Sequence, residues 1–248
     1  AAAAGSLPQR TFSARSSGNF AVAFAIDNLV DGEAFDFDLE GLASPTIPSP
    51  KTRYWTDTDL GSIGFGYSTE ETPLHILTFY NAIANKGRMM KPYLVEDIEQ
   101  NGIVVKKRGP SVLNASVCSR AVADTMTRAL KAVTEEGTAK RLKNAKCTVA
   151  GKTGTAEKYN QETRKYDRDH QVASFIGLAP VENARFVCMV IVDDPQTAQK
   201  HGGNTAGPIF RRIMEGIYYH PELSPASYNL AVVDARSNCK FRNAAELL

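Results

Sequence analysis

Residues 150–158 read Ala-Gly-Lys-Thr-Gly-Thr-Ala-Glu-Lys and follow the apolar, β-branched approach Cys147-Thr148-Val149. Such a run favours a strand that carries a lysine, two hydroxyls and a glycine in four successive positions. Side chains alternate faces along a strand, so Lys152 and Gly154 point one way and Thr153 and Thr155 the other. Gly154 has no Cβ, which lets a ligand backbone lie close against the strand. Neighbouring N–H groups at a strand edge are then free to donate to a carbonyl that is becoming an oxyanion. Lys152 adds positive charge and the threonines add adjustable donors. The chain must therefore build a sheet that keeps this strand at an accessible edge, and the same triplet in a surface turn is the plain alternative.

Far upstream lies Ser16-Ser17-Gly18-Asn19, followed by the apolar run Phe20-Ala21-Val22-Ala23-Phe24-Ala25-Ile26. That run suits a buried helix beginning at or just before the serine-asparagine turn. Ser17 and Asn19 are also favoured residue types for capping a helix start, which is their simpler role. An S-x-N before a buried helix and a K-T-G on a later strand are two of the three signatures of serine acyl-transferases that react with penicillin.

On these residues the chain resembles the transpeptidase domain of a class B penicillin-binding protein of the cell-division type. Further segments carry the likeness: Ser62–Tyr67, Leu77–Gly87, Lys91-Pro92, Glu135-Glu136-Gly137-Thr138-Ala139, Ala173–Gly177 and His201-Gly202-Gly203. In order and spacing they cover roughly residues 16 to 219. The resemblance implies two-step acyl transfer, in which a serine attacks the penultimate D-Ala carbonyl of a stem peptide and an amine of a neighbouring stem resolves the acyl-enzyme. Covalent catalysis divides one hard displacement into two easier ones. It also implies roles for the site. Ser17 relays protons to the leaving amine and Asn19 holds a substrate carbonyl. Lys152 supplies the field that keeps Ser17 useful and attracts the substrate carboxylate. Thr153 and Thr155 bind that carboxylate across Gly154, and the Thr155 N–H forms half of the oxyanion hole. Peptidoglycan stem peptides and β-lactam antibiotics are the implied ligands, membrane proteins of division or elongation the implied partners, and no cofactor or metal is implied. The implied location is the cell envelope, on the periplasmic face of the inner membrane.

The family's acylated serine sits in an S-x-x-K upstream of S-x-N, and nothing of that form precedes Ser17. The literal match Ser237-Asn238-Cys239-Lys240 follows the K-T-G strand and reads as accidental. The reading is of the C-terminal part of a transpeptidase domain over residues 16–220, lacking the nucleophile segment and its first strands. Residues 1–15 read as a tag or lead-in. Residues 221–248 read as a tail whose end, Phe241 to Leu248, weakly resembles the opening of a PASTA module. Loss of the first strands would leave an unpaired sheet edge. Two rival functions stand beside the transpeptidase: a D,D-carboxypeptidase or β-lactamase relative, and a non-catalytic scaffold of the same fold.

Composition narrows the partners. With 29 basic against 27 acidic residues and no block of like charge, the chain has no electrostatic footprint for nucleic acid. Its four cysteines lack metal-ligand spacing, and Cys147 and Cys188 fall in apolar strand-like runs as small buried side chains.

The periodicity predicts an α+β fold, an antiparallel sheet flanked by helices. Leu42 to Tyr54, with Pro45, Pro48 and Pro50, is an irregular connection. Thr72-Pro73 opens a helix with Leu74, Leu77, Ile83 and Ala84 on its apolar face, closed by Gly87. Asn101-Gly102 splits Tyr93 to Lys107 into a hairpin. Val122, Met126, Leu130 and Val133 mark a long helix ending near Gly137. Strands follow near 146–153, 171–178 and 185–192, then a helix from Thr205 to Tyr218 with Ile209, Ile213 and Ile217 on one face. His170 and His201 read as loop residues rather than bases, and Trp55 and Tyr67 either line the cleft or plug it.

Overall fold

The computed structural model describes residues 37–38, 41–46, 55–56, 58–59, 62 and 69–219. Ser17, Asn19, Tyr67 and the two terminal segments lie outside the described residues. In chain order the elements are α1 (Pro73–Ala84), β1 (Met89–Met90), β2 (Asp97–Gln100), β3 (Ile103–Lys107), β4 (Val112–Asn114), α2 (Arg120–Glu135), a 3-10 turn (Lys140–Leu142), β5 (Ala150–Asn160), β6 (Lys165–Ala179), β7 (Phe186–Asp193) and α3 (Ala206–Tyr219). The last three strands form one antiparallel sheet in the order β5-β6-β7. The mixture of helices with an antiparallel sheet is the expected α+β class.

Local chemistry explains where the elements start and stop. Thr72 caps α1, its hydroxyl accepting from the His75 N–H, and Pro73 takes the first helical position where a missing N–H costs nothing. The helix closes at Gly87, whose φ of +91° suits a residue without a Cβ and whose N–H reaches the Ala82 carbonyl at 2.8 Å. Ser119 caps α2 in the same manner through the Val122 N–H. Asn101 and Gly102 both take positive φ, 54° and 78°, which is the two-residue turn anticipated for the β2–β3 hairpin. At the foot of that hairpin the Asp38 carboxylate accepts from the Leu94 and Val95 N–H groups and pairs with Arg108.

The sheet is buried on both faces, and β6 shows how. Phe175 packs with Leu142, Phe210 and Met214, while its neighbour Ile176 packs with Phe79, Ile83 and Met89. On β7 the same alternation sends Val187 and Met189 towards α1 and Phe186, Cys188, Val190 and Val192 towards α3. Period-two side-chain alternation therefore divides one sheet between two cores. Phe175 and Phe210 meet edge to face with centroids 4.8 Å apart. Among the described residues Cys118, Cys147 and Cys188 are free thiols, the latter two partly buried against the α3-side core.

The expected helix faces hold only in part. In α1 the buried residues are His75, Thr78, Phe79, Tyr80, Ala82 and Ile83, with Leu74, Leu77 and Ala84 only half-buried. The cause is that α1 packs against α2, β1, β6 and β7 and so buries more than one stripe. In α2 Met126, Leu130 and Val133 pack against the cores as expected while Val122 is exposed, and the most buried line runs through Ala123, Thr127 and Thr134, small residues that admit a close approach. In α3 Ile209 and Ile213 are exposed, Ile217 packs against the core as expected, and the fully buried residues are Ala206, Phe210 and Met214. The first strand begins at Ala150 rather than near 146, and β5 and β6 run on past their expected ends to the turn at 161–164.

Candidate active site

The K-T-G residues lie in the middle of the first half of β5, opposite a fully buried stretch of β6. Lys152 pairs with Ile176, Thr153 with Phe175, Gly154 with Ser174 and Thr155 with Ala173. Directly paired residues share a face, so Lys152 lies on the α1 side with Ile176 and the two threonines lie on the α3 side with Phe175. The expected alternation is therefore present. Among the described residues β5 pairs only with β6, and its other edge is open.

Lys152 is half-buried, and its Nζ donates to the Thr153 carbonyl at 3.0 Å. Burial holds its ammonium below the ordinary lysine range, because desolvation penalises the charged form. Among the described residues no carboxylate lies within ion-pair distance of it. A partly desolvated cation without a described counter-ion is a place where an incoming anion gains more than it would in water.

The two threonines are held from the α3 side. Thr153 is buried, and its Oγ1 lies 2.7 Å from the Thr138 Oγ1, just past the end of α2. Thr155 Oγ1 accepts from the Gly202 N–H at 3.3 Å. Gly202 and Gly203 are buried where the loop before α3 presses onto the sheet. A Cβ on Gly202 would stand 2.1 Å from the Ser174 carbonyl oxygen and 2.5 Å from that of Gly154, and one on Gly203 would stand 2.3 Å from the Thr138 carbonyl oxygen. Only a residue without a side chain fits that contact.

Lys152, Thr153, Gly154 and Thr155 are thus brought together on one strand, while Ser17 and Asn19 lie outside the described residues. His201 is exposed in the loop before α3, as expected. His170 instead belongs to β6, near the register shift beyond Glu157, where its Nδ1 meets Asp167 Oδ2 at 2.8 Å. Trp55 is half-buried. Thr138, Gly202 and Gly203 are the residues to which sequence reasoning gave no role. The Gly-Gly pair before a helix and the threonine after one were visible, but their partners lie 15 and 47 residues away.

The sequence profile of the penicillin binding protein transpeptidase domain matches residues 33–215. The chain belongs to that family. The match covers most of the chain, including the K-T-G strand, and begins after Ser17 and Asn19. Among relatives of this transpeptidase domain, the peptidoglycan D,D-transpeptidase FtsI of Buchnera aphidicola is 30% identical over 216 residues, which is 84% of this chain and 36% of that protein. FtsI of Escherichia coli is 26% identical over 199 residues, covering 78% and 31%. The chain therefore spans about a third of the length of these relatives. Penicillin binding protein 3 of Mycobacterium tuberculosis, solved with aztreonam, superposes with a TM-score of 0.70 at 24% identity, over 79% of this chain and 45% of that one. That likeness establishes the β-lactamase/transpeptidase fold, as expected.

Proposed function

We propose that this chain is the K-T-G-bearing part of a serine-type peptidoglycan D,D-transpeptidase, which cross-links D-Ala-D-Ala stem peptides by acyl transfer and is inhibited by β-lactams. The observation that carries the reading is β5 itself: a partly desolvated lysine and two pinned threonine hydroxyls on a strand whose other edge is open among the described residues. The membership in the transpeptidase family and the FtsI relatives support it.

In this mechanism the terminal carboxylate of the donor peptide sits against Thr153 and Thr155, drawn by Lys152. The scissile carbonyl lies along β5, and the Thr155 N–H faces the oxygen on which negative charge develops. Ser17 and Asn19 complete the cleft from the other wall, Ser17 passing the proton to the departing D-Ala amine. The nucleophilic serine comes from sequence that precedes Ser16 in the enzyme. The work belongs to the cell envelope. Among the described residues no helix is long and apolar enough to cross a membrane.

Fluorescent penicillin provides the test. The enzyme with its preceding S-x-x-K segment is expected to become covalently labelled and to lose labelling on Lys152→Ala. The 248-residue chain alone is expected to stay unlabelled, and labelling of any of its serines would refute the placement of the nucleophile.

A further inference from the structure

Thr138 stands where the K-T-G strand meets the end of α2, in a position fixed by its neighbours. The Gly137 N–H reaches the Ala132 and Val133 carbonyls, the Ala139 N–H reaches Val133 at 3.1 Å, and the Lys140 N–H reaches Gly137. These bonds hold the backbone on both sides of Thr138. Gly203 packs against its carbonyl and lies 3.4 Å from the Thr153 methyl at the position a Cβ would take, closing the space behind the two threonines. The residue itself is exposed while its hydroxyl partner Thr153 is buried.

A pair of hydroxyls 2.7 Å apart shares one hydrogen bond, so of its two protons one is used inside the pair and one is left over. An isolated Thr153 hydroxyl would be free to rotate towards nearby carbonyls. Paired with Thr138, its rotor is set and the remaining proton is available to an acceptor outside the pair. Linked hydroxyls polarise one another, which strengthens the outward bond, most of all to a charged acceptor.

We propose that Thr138 is a positioning residue of the carboxylate subsite, acting through its hydroxyl contact with Thr153 so that the pair presents one directed proton to the terminal carboxylate of a bound peptide. This rests on the reading of the K-T-G strand given above. It adds a residue outside that motif, from the end of a different element, to the recognition of the substrate's charge.

The test follows the Gly154 and Thr155 amide signals of the isotope-labelled enzyme with its preceding S-x-x-K segment, the serine of that segment replaced by alanine, during titration with a D-Ala-D-Ala-terminated peptide and with the same peptide ending in a carboxamide. Thr138→Val keeps the shape and removes the hydroxyl. It is expected to weaken the carboxylate peptide by about fivefold or more while leaving the carboxamide peptide within about twofold. Thr138→Ser is expected to restore carboxylate binding, and Thr138→Ala carries the same expectation as the valine variant should the latter fold poorly. Equal weakening of both peptides, or no weakening of either, would overturn the proposal. If Lys152→Met abolishes the response while Thr138→Val leaves it intact, the strand's role stands and the role of Thr138 falls. If that enzyme without further change shows no response at either amide, the reading of the strand falls, and this proposal with it.

Discussion

Replacing Gly202 with alanine puts one methyl group where two backbones already meet. The added Cβ would lie 2.1 Å from the Ser174 carbonyl oxygen, 2.5 Å from the Gly154 carbonyl oxygen and 3.1 Å from the Ser174 carbonyl carbon. None of these atoms is the end of a flexible side chain, so relief requires the loop to lift from the sheet by about an ångström, the shortfall from an ordinary contact. Overpacking of this kind costs about 1–3 kcal/mol, and lifting the loop also lengthens the bond from the Gly202 N–H to Thr155. For a chain of this size that corresponds to a fall in melting temperature of roughly 3–10 °C. Gly216, in the exposed interior of α3, is the internal control, since nothing lies within 4 Å of the Cβ it lacks. Gly216→Ala is expected to stabilise by about 0.5–1 kcal/mol through helix propensity. Thermal unfolding followed by circular dichroism compares the three proteins. A Gly202→Ala variant that melts with the parent, or above it, would refute the claim that this glycine is demanded by close approach.

Phe210→Ala removes one ring of the edge-to-face pair with Phe175 in the α3-side core, and is expected to cost about 3–5 kcal/mol in urea unfolding. A loss under about 1 kcal/mol would mean that α3 is not seated on the sheet as described. Burial raises the Glu71 carboxyl from an ordinary 4.5 to about 7, so the folded chain holds a proton there that the unfolded chain releases at lower pH. The associated stability is complete below about pH 4.5 and is lost as pH rises through about 7. Glu71→Gln should therefore be more stable than the parent at pH 8, by on the order of 1–2 kcal/mol after discounting for partial solvation, with the difference fading towards pH 4.5. A pH-independent difference would contradict the burial of the acid.

What the sequence revealed best was punctuation. Thr72-Pro73, Gly87 and Asn101-Gly102 act through their own backbone geometry, and each stands where its chemistry requires. The K-T-G strand was legible for the same reason, because β-branched approach and alternation are local properties. The buried faces of the helices were legible only in part: Leu77, Ile83, Met126, Leu130, Val133 and Ile217 do pack on the cores. Ile209 and Ile213 have the right spacing for a core stripe, yet the sheet receives Phe210 and Met214 one position on, where a ring can interleave with Phe175. In α2 the closest packing uses alanine and threonine, residue types that hydropathy does not single out. The supports of the site were hidden by distance along the chain, since the Gly202 contact with Thr155 and the Thr138 contact with Thr153 exist only once the sheet has formed.

Phe175 and Ile176 are adjacent residues serving opposite interiors. Their strand is in effect a party wall: neither room can be redecorated without moving it. A substitution that shifts the strand to suit α1 displaces the ring that seats α3, and with it the loop that steadies Thr155. Adaptive changes around this centre should therefore come in compensating sets spread across both sides of the sheet.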